Sequence, residues 1–128
     1  MRTIMLSAAF ACILGLTASL SAIAAEAPAV MRVIVVQTAD VSAYIHEVET
    51  LQGLLKKSGQ AATLRVWRAT FAGPDTGTIV VSVEAANLAA LAKIDDMIRS
   101  SPEIAAEMKK INGMRKIVSD SVYDLLSH

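Results

Sequence analysis

The side chains best suited to hold a ligand lie in one predicted strand near the middle of the chain. Arg65 and Trp67 share a face of this strand with Phe71, whereas Arg68 lies on the opposite face. A guanidinium beside aromatic rings on an apolar sheet could hold the anionic end of an apolar ligand. In the alternative interpretation, Trp67 and Phe71 pack in a core while the arginines reach solvent or pair with a carboxylate.

The two histidines do not indicate a metal site. His46 lies off the apolar stripe of a predicted helix and His128 is the last residue, so we expect both to face solvent. A catalytic zinc site usually needs three protein ligands, and Cys12, the only cysteine, lies in the predicted leader. We therefore expect no bound metal, no cofactor and no catalytic thiol, although a haem-ligand role for His46 stays open.

Two acidic pairs could suggest acid–base chemistry. They are Glu47 with Glu49 and Asp95 with Asp96, each on a predicted helix. Side chains this close in sequence point in different directions on a helix, so neither pair converges on one spot. We expect both pairs to be solvated helix surface. The catalytic residues, if any exist, are not identifiable from the sequence.

The first 25 residues have the layout of a secretory signal peptide. Arg2 precedes a long apolar run, which gives way to small residues that end in Ala22-Ile23-Ala24-Ala25. We expect cleavage near Ala25 and export to the periplasm or beyond the cell. The alternative is an uncleaved anchor, because residues 3–25 are long enough to span a bilayer.

Residues 26–128 suffice for one small domain with a modest core. The chain carries 12 Lys+Arg and 12 Asp+Glu, and these charges are interspersed without a basic stripe. This pattern does not favour nucleic acid, or a membrane surface after leader cleavage, as a partner. Because the only cysteine leaves with the leader, packing or oligomerisation must stabilise the domain.

The hydrophobic periodicity predicts the order β-α-β-β-α-β. The elements are a strand at 32–37, a helix capped by Asp40, strands at 62–72 and 78–83 joined by a turn at 73–77, a helix capped by Asn87 that restarts at Pro102 behind a Ser101 cap, and a strand at 116–125. This order predicts an α+β, ferredoxin-like fold, in which both helices pack on one face of a four-stranded antiparallel sheet.

The first and third predicted strands are apolar on both faces. Val33 and Val35 lie on one face of the first strand, and Ile34 and Val36 on the other. Two helices can cover only one face of the sheet, so the other face needs a second partner. We expect a second copy of the chain, packed sheet to sheet about a two-fold axis. The alternative is surface hydrophobicity that reflects β-propensity alone, and periodicity does not fix which set faces outward.

Three features together resemble the dimeric α+β barrel superfamily. They are the element order, the run from Arg65 to Ala69 leading into the turn at 73–77, and the helix restart at Ser101-Pro102-Glu103. This superfamily includes NIPSNAP-like proteins and antibiotic-biosynthesis monooxygenase-like domains. The resemblance implies a homodimer whose two sheets close into a barrel. Some members hold a ligand or haem between sheet and helices, and others are small monooxygenases without a metal or flavin.

Three functions stay open at this point. The first is an exported binding or accessory module for a small apolar or anionic ligand, and the second is a cofactor-independent monooxygenase-like enzyme. The enzyme predicts an enclosed pocket that holds Arg65, Trp67 and Tyr123. The third is a structural or interaction domain, which predicts a filled barrel without a cavity.

Overall fold

The computed structural model describes residues 28–127, which form a four-stranded antiparallel sheet and three helices. The elements are β1 (Val30–Thr38), α1 (Val41–Lys57), β2 (Thr63–Arg68), β3 (Ile79–Ala85), α2 (Leu88–Ser100), α3 (Pro102–Gly113) and β4 (Arg115–Asp124). The strand order is β2-β3-β1-β4. The ferredoxin-like α+β fold is therefore confirmed. The predicted leader and His128 lie outside the described residues.

Within residues 28–127, no helix has the length and hydropathy that a membrane crossing requires.

The predicted starts of the first two helices are confirmed by their capping hydrogen bonds. The Asp40 carboxylate accepts from the Ala43 N–H at 2.9 Å, and the Asn87 side-chain oxygen accepts from the Ala90 N–H at 2.8 Å. Each bond satisfies a backbone donor that has no partner inside the helix. At the other end of α1, Gly59 adopts φ +76°, a conformation that glycine reaches at little cost.

Pro102 divides the second helical segment, as predicted. It lacks a backbone N–H and fits the first turn of a new helix, so α2 ends at Ser100 and α3 begins at Pro102. The predicted side-chain cap by Ser101 is wrong, because its hydroxyl makes no capping hydrogen bond. Ser101 instead starts α3 through its carbonyl oxygen, which accepts from the Ala105 N–H at 2.9 Å.

The second strand is shorter than predicted. β2 ends at Arg68, and the ladder with β3 closes where the Ala69 N–H donates to the Thr78 carbonyl at 3.0 Å. The intervening loop turns at Gly73 and Gly77, which adopt φ +56° and +89°. Residues 73–75 form a single 3₁₀ turn in this loop.

Phe71 lies in this loop and not in a strand, with 99% of its surface exposed. The prediction that Phe71 shares a strand face with Trp67 is therefore wrong.

The core lies between one face of the sheet and the three helices. Ile34 and Val36 of β1 alternate inward with Ile79 and Val81 of β3, and all four are buried. The helices contribute their largest buried side chains, which are Tyr44, Leu55, Ile104 and Ile111. We call this side of the sheet the covered face.

The register also identifies the opposite side, which we call the free face because no element among residues 28–127 packs on it. Cross-strand pairing places three rows of residues there. The rows, from β2 to β4, are Trp67, Val80, Val35 and Ser119; Arg65, Ser82, Val33 and Ser121; and Thr63, Glu84, Met31 and Tyr123. Val33 and Val35 are thus the outward set, which the sequence left open.

Candidate functional site

A cavity of about 90 Å³ lies between the covered face and the helices. Ile34, Leu55 and Ile111 contribute to its apolar lining. All three are at least nine-tenths buried, so this part of the lining is dry. Polar side chains of β1, β4, α1 and α2 complete the wall, and they are Arg32, Tyr44, Asp95, Arg115 and Asp120. The arrangement joins an apolar interior to a charged rim.

The strand β4 leaves this cavity partly open. Its residues on the covered-face side stay accessible, with 48% of Ile117 and 49% of Val122 exposed. Asp120 pairs across β4 and β1 with the buried Ile34, so a carboxylate occupies a position where a closed core would carry an apolar side chain. We infer that the cavity opens beside β4.

Arg32 is held by two carboxylates at the cavity rim. Its Nε and Nη2 donate to the two oxygens of Asp120 at 2.8 and 2.6 Å, and its Nη1 donates to Asp95 at 3.0 Å. The hydrogen bond to Asp120 raises the pKa of Arg32, and the same bond lowers the pKa of Asp120. The charge of Arg32 is therefore fully compensated within the protein.

Arg115 lines the same cavity but meets only neutral acceptors. Its Nη1 donates to the Tyr44 hydroxyl at 3.1 Å, and its Nε and Nη2 donate to Asn112 Oδ1 at 3.2 and 2.8 Å. Among residues 28–127, no carboxylate forms a salt bridge with it. Tyr44 is fully buried, so Arg115 carries a positive charge to the edge of a dry interior.

A second charged cluster joins α1 to α3. Lys110 Nζ donates to Glu47 at 2.7 Å and to Glu107 at 3.2 Å. Burial raises the pKa of Glu107, whose Oε1 is buried without a hydrogen-bond partner in the described part of the chain. The hydrogen bond from Lys110 lowers the pKa of Glu47.

The prediction of solvated acidic pairs is thus wrong for one member of each pair. Glu47 and Asp95 are partly buried, and they pair with Lys110 and Arg32. The other members, Glu49 and Asp96, are exposed as predicted. His46 is exposed too, and within residues 28–127 no three acidic, histidine or cysteine side chains cluster as metal ligands.

Two of the predicted ligand-binding residues lie on the free face and already have protein partners. Trp67 Nε1 donates to the Ser82 hydroxyl at 2.9 Å, and Arg65 Nε lies 3.0 Å from a Glu84 carboxylate oxygen. Ser82 is almost fully buried beneath this arrangement. Arg65 is therefore ion-paired on the sheet surface and does not reach the cavity.

The remaining predicted residues lie apart from this pair. Arg68 lies at the end of β2 with the covered-face register, and it is exposed. Tyr123 is on the free face, but β4 and β2 are opposite edges of the sheet. Arg65, Trp67 and Tyr123 consequently do not meet within one chain.

The sequence did not identify the polar residues that the fold brings to the cavity. Tyr44 was visible only as part of an apolar helix stripe, and Arg115 only as a residue before the last strand. The available signal was the pair of charged residues Arg32 and Asp120, each inside an otherwise β-branched strand. Such residues in a covered position call for a partner.

Comparison with known proteins supports the fold but gives no family assignment. No protein-family model and no curated protein matches the chain. A solved protein of unknown function from Bacteroides thetaiotaomicron, described as a possible oxidoreductase, aligns with a TM-score of 0.54 and 11% identity over 77% of this chain and 100% of its own. A Deinococcus radiodurans protein, provisionally described as an antibiotic biosynthesis monooxygenase, aligns with a TM-score of 0.49 and 12% identity over 77% and 94%.

At such low identity, the likeness to the Bacteroides protein concerns the fold alone. It agrees with the ferredoxin-like arrangement that the order of the elements predicted. It does not identify the chain as NIPSNAP-like.

Proposed function

We propose that the protein is an exported, homodimeric ligand-binding module whose ligand occupies the cavity between the covered face and the helices. The observation that carries this proposal is the cavity itself, in which an apolar lining meets the polar side chains of Arg32, Tyr44 and Arg115. Apolar sites with a few convergent polar groups are the usual form of small-molecule sites. A purely structural domain would have a filled interior at this position.

The leader supports export. A basic start, an apolar middle and a small-residue exit before Glu26 form one continuous pattern. We expect protein from a periplasmic fraction to begin at Ala25 or Glu26 by intact-mass measurement. Retention of Met1 in a membrane fraction would contradict export.

The free face supports a homodimer. One of its rows carries Trp67, Val80 and Val35 side by side across three strands, and the neighbouring rows supply serines and charged residues. Apolar side chains bordered by polar ones are the usual anatomy of a protein interface. Val35 and Val80 are already partly buried in one chain, so each of the three side chains would contribute less than the ~1.5–3 kcal/mol of full burial, and their sum offsets part of the entropy lost on association. The two sheets would then close into a barrel.

Methyl NMR with xenon tests the ligand cavity without knowledge of the ligand, since xenon enters dry apolar cavities. We expect shifts at the Ile34, Leu55 and Ile111 methyl groups, which line the cavity. Ile98→Phe should abolish these shifts by filling the space from α2. Leu88→Phe, on the exposed surface of the same helix, should leave them unchanged. Shifts absent from the wild type would contradict the cavity site.

A cofactor-independent oxygenase is the second candidate. It is favoured by the fold shared with the Bacteroides protein described as a possible oxidoreductase. Oxygen uptake by the purified protein with reduced aromatic compounds, such as hydroquinones, tests it directly. Uptake lost in Tyr44→Phe and retained in Leu88→Phe would favour the enzyme, and uptake no greater than without protein would exclude it for those compounds. A visible absorbance spectrum shows whether haem or flavin co-purifies.

A further inference from the structure

The two arginines at the cavity differ in whether they are ion-paired, and so in what they can offer to a ligand. Arg32 forms ion pairs with both Asp95 and Asp120. Arg115 donates three hydrogen bonds, all to the neutral oxygens of Tyr44 and Asn112. A guanidinium has five N–H donors and a permanent charge, so two donors of Arg115 remain available. Its charge acts on Asp120 only through space, without a salt bridge between the two among residues 28–127.

Tyr44 adds a third free donor beside Arg115. Its hydroxyl oxygen accepts from Arg115 Nη1 at 3.1 Å, and within residues 28–127 its own O–H hydrogen is donated to no acceptor. The residue is fully buried and lines the cavity. A buried donor without an acceptor is costly, and a ligand oxygen would satisfy it.

We propose, building on the ligand-binding function above, that Tyr44 and Arg115 form a carboxylate site and that the ligand is a short-chain carboxylic acid. Three free donors on Tyr44 and Arg115, one of which is a cation, select an anionic oxygen ligand over an amine or an apolar molecule. Asp120 lies within electrostatic reach of Arg115, but both of its oxygens accept hydrogen bonds from Arg32. Asn112 fixes the guanidinium from two of its nitrogens, so the site is organised before the ligand arrives.

The cavity volume sets the length of the acid. A cavity of about 90 Å³ is well below the ~300–1,000 Å³ of pockets that hold drug-sized ligands, so only a short acyl chain fits. Butyrate, a carboxylate with three further carbons, is an acid of this kind. The acyl chain would then contact the apolar lining, and longer acids would have to enlarge the cavity or leave their ends in solvent.

Isothermal titration of the purified full-length mature protein with sodium butyrate, butyramide and n-butylammonium chloride tests the charge requirement. These probes are similar in length and differ in the polar end. We expect butyrate to bind at least about tenfold more tightly than either analogue, because the hydrogen bonds to a charged acceptor are the stronger ones. Acetate and octanoate, run alongside, should both bind more weakly than butyrate.

Variants then locate the site. Tyr44→Phe and Arg115→Met should each weaken butyrate binding by about tenfold or more. Arg99→Met, which removes an exposed arginine of α2, should not change it. Xenon shifts measured on each variant show that the cavity has kept its shape.

Butyramide that binds as tightly as butyrate, or butyrate binding that survives both variants, would overturn the carboxylate site. Xenon binding without any butyrate binding would also overturn it and leave the ligand cavity standing. Failure of xenon and of every acid would contradict the ligand-binding function itself.

Discussion

The covered and free faces of the sheet are built from similar residues but differ in how deeply these residues are buried. Ile34 and Val36 on one side of β1 are buried, whereas Val33 and Val35 on the other side are only partly buried. On the covered face the helices supply the missing neighbours. On the free face the described chain supplies no such neighbours. Alternate residues of β1 therefore lie in a packed core on one side and on an uncovered apolar surface on the other.

The charged residues of the two faces also differ in burial, and they differ in the number of ion pairs that they form. The Arg32 side chain on the covered face is 30% exposed and pairs with two carboxylates, whereas the Arg65 side chain on the free face is 54% exposed and pairs with one. Polar groups in the interior must be satisfied, and those at the surface can use water. The comparison teaches that the covered face is stabilised within one chain, whereas the free face is left available to a partner.

Truncation of the core should have the largest effect on stability. Leu55 is fully buried between α1 and the sheet, so Leu55→Ala should lower the free energy of unfolding by about 2–5 kcal/mol. Met31→Ala, at the rim of the free face, should cost about 1 kcal/mol or less. Chemical denaturation measures both values. Equal losses for the two variants would mean that the faces do not differ as described.

A charge in the apolar row of the free face should break the proposed dimer. Val80→Asp would bury an unpaired carboxylate against the second copy, at a cost of several kcal/mol. We expect the variant to sediment as a monomer or to aggregate, and the wild type as a dimer. Ala92→Asp, on the exposed surface of α2, serves as the matched control and should remain dimeric. A Val80→Asp protein that stays dimeric would exclude this interface.

Removal of the two ion-paired arginines should have smaller, unequal effects. Arg32→Met should cost about 1–2 kcal/mol, because Asp120 and Asp95 lose their donor, whereas the exposed pair of Arg65 contributes about 0–1 kcal/mol. The lowered pKa of Asp120 stabilises the fold above the ordinary pKa of an aspartate, and this contribution is lost as pH falls through the lowered value. At neutral pH, Arg32→Met should therefore have a lower free energy of unfolding than the wild type. This free energy should also fall less steeply as the pH is lowered. An acid profile parallel to the wild type would contradict this assignment.

Glu107 should produce the opposite dependence on pH. Its raised pKa means that the folded protein holds this proton more tightly than the unfolded chain, so stability falls as pH rises from the ordinary pKa to the raised one. Glu107→Gln should remove this loss, and Glu103→Gln, at an exposed position of the same helix, should not. Thermal unfolding over that pH range measures the difference.

The sequence predicted the elements well because their signals are local. Asp40 and Asn87 cap helices through their own side chains, and Pro102 ends a helix by lacking a donor. It did not predict the position of Phe71. The glycine turn at residues 73–77 is also typical of a tight hairpin, in which the strand would have continued through Phe71. It also missed Tyr44 with Arg115, which are 71 residues apart and meet only after the sheet has formed. A contact between residues so far apart in the sequence has no local pattern.

Quenching of tryptophan fluorescence by acrylamide tests the central claim, that a second copy covers the free face. Trp67 is the only tryptophan of the chain, and it lies on that face with 53% of the residue exposed in a single copy. We predict that the wild-type protein is strongly protected from the quencher and that Val80→Asp, where it stays soluble, is quenched as a half-exposed indole. Equal and efficient quenching of both proteins would contradict the account.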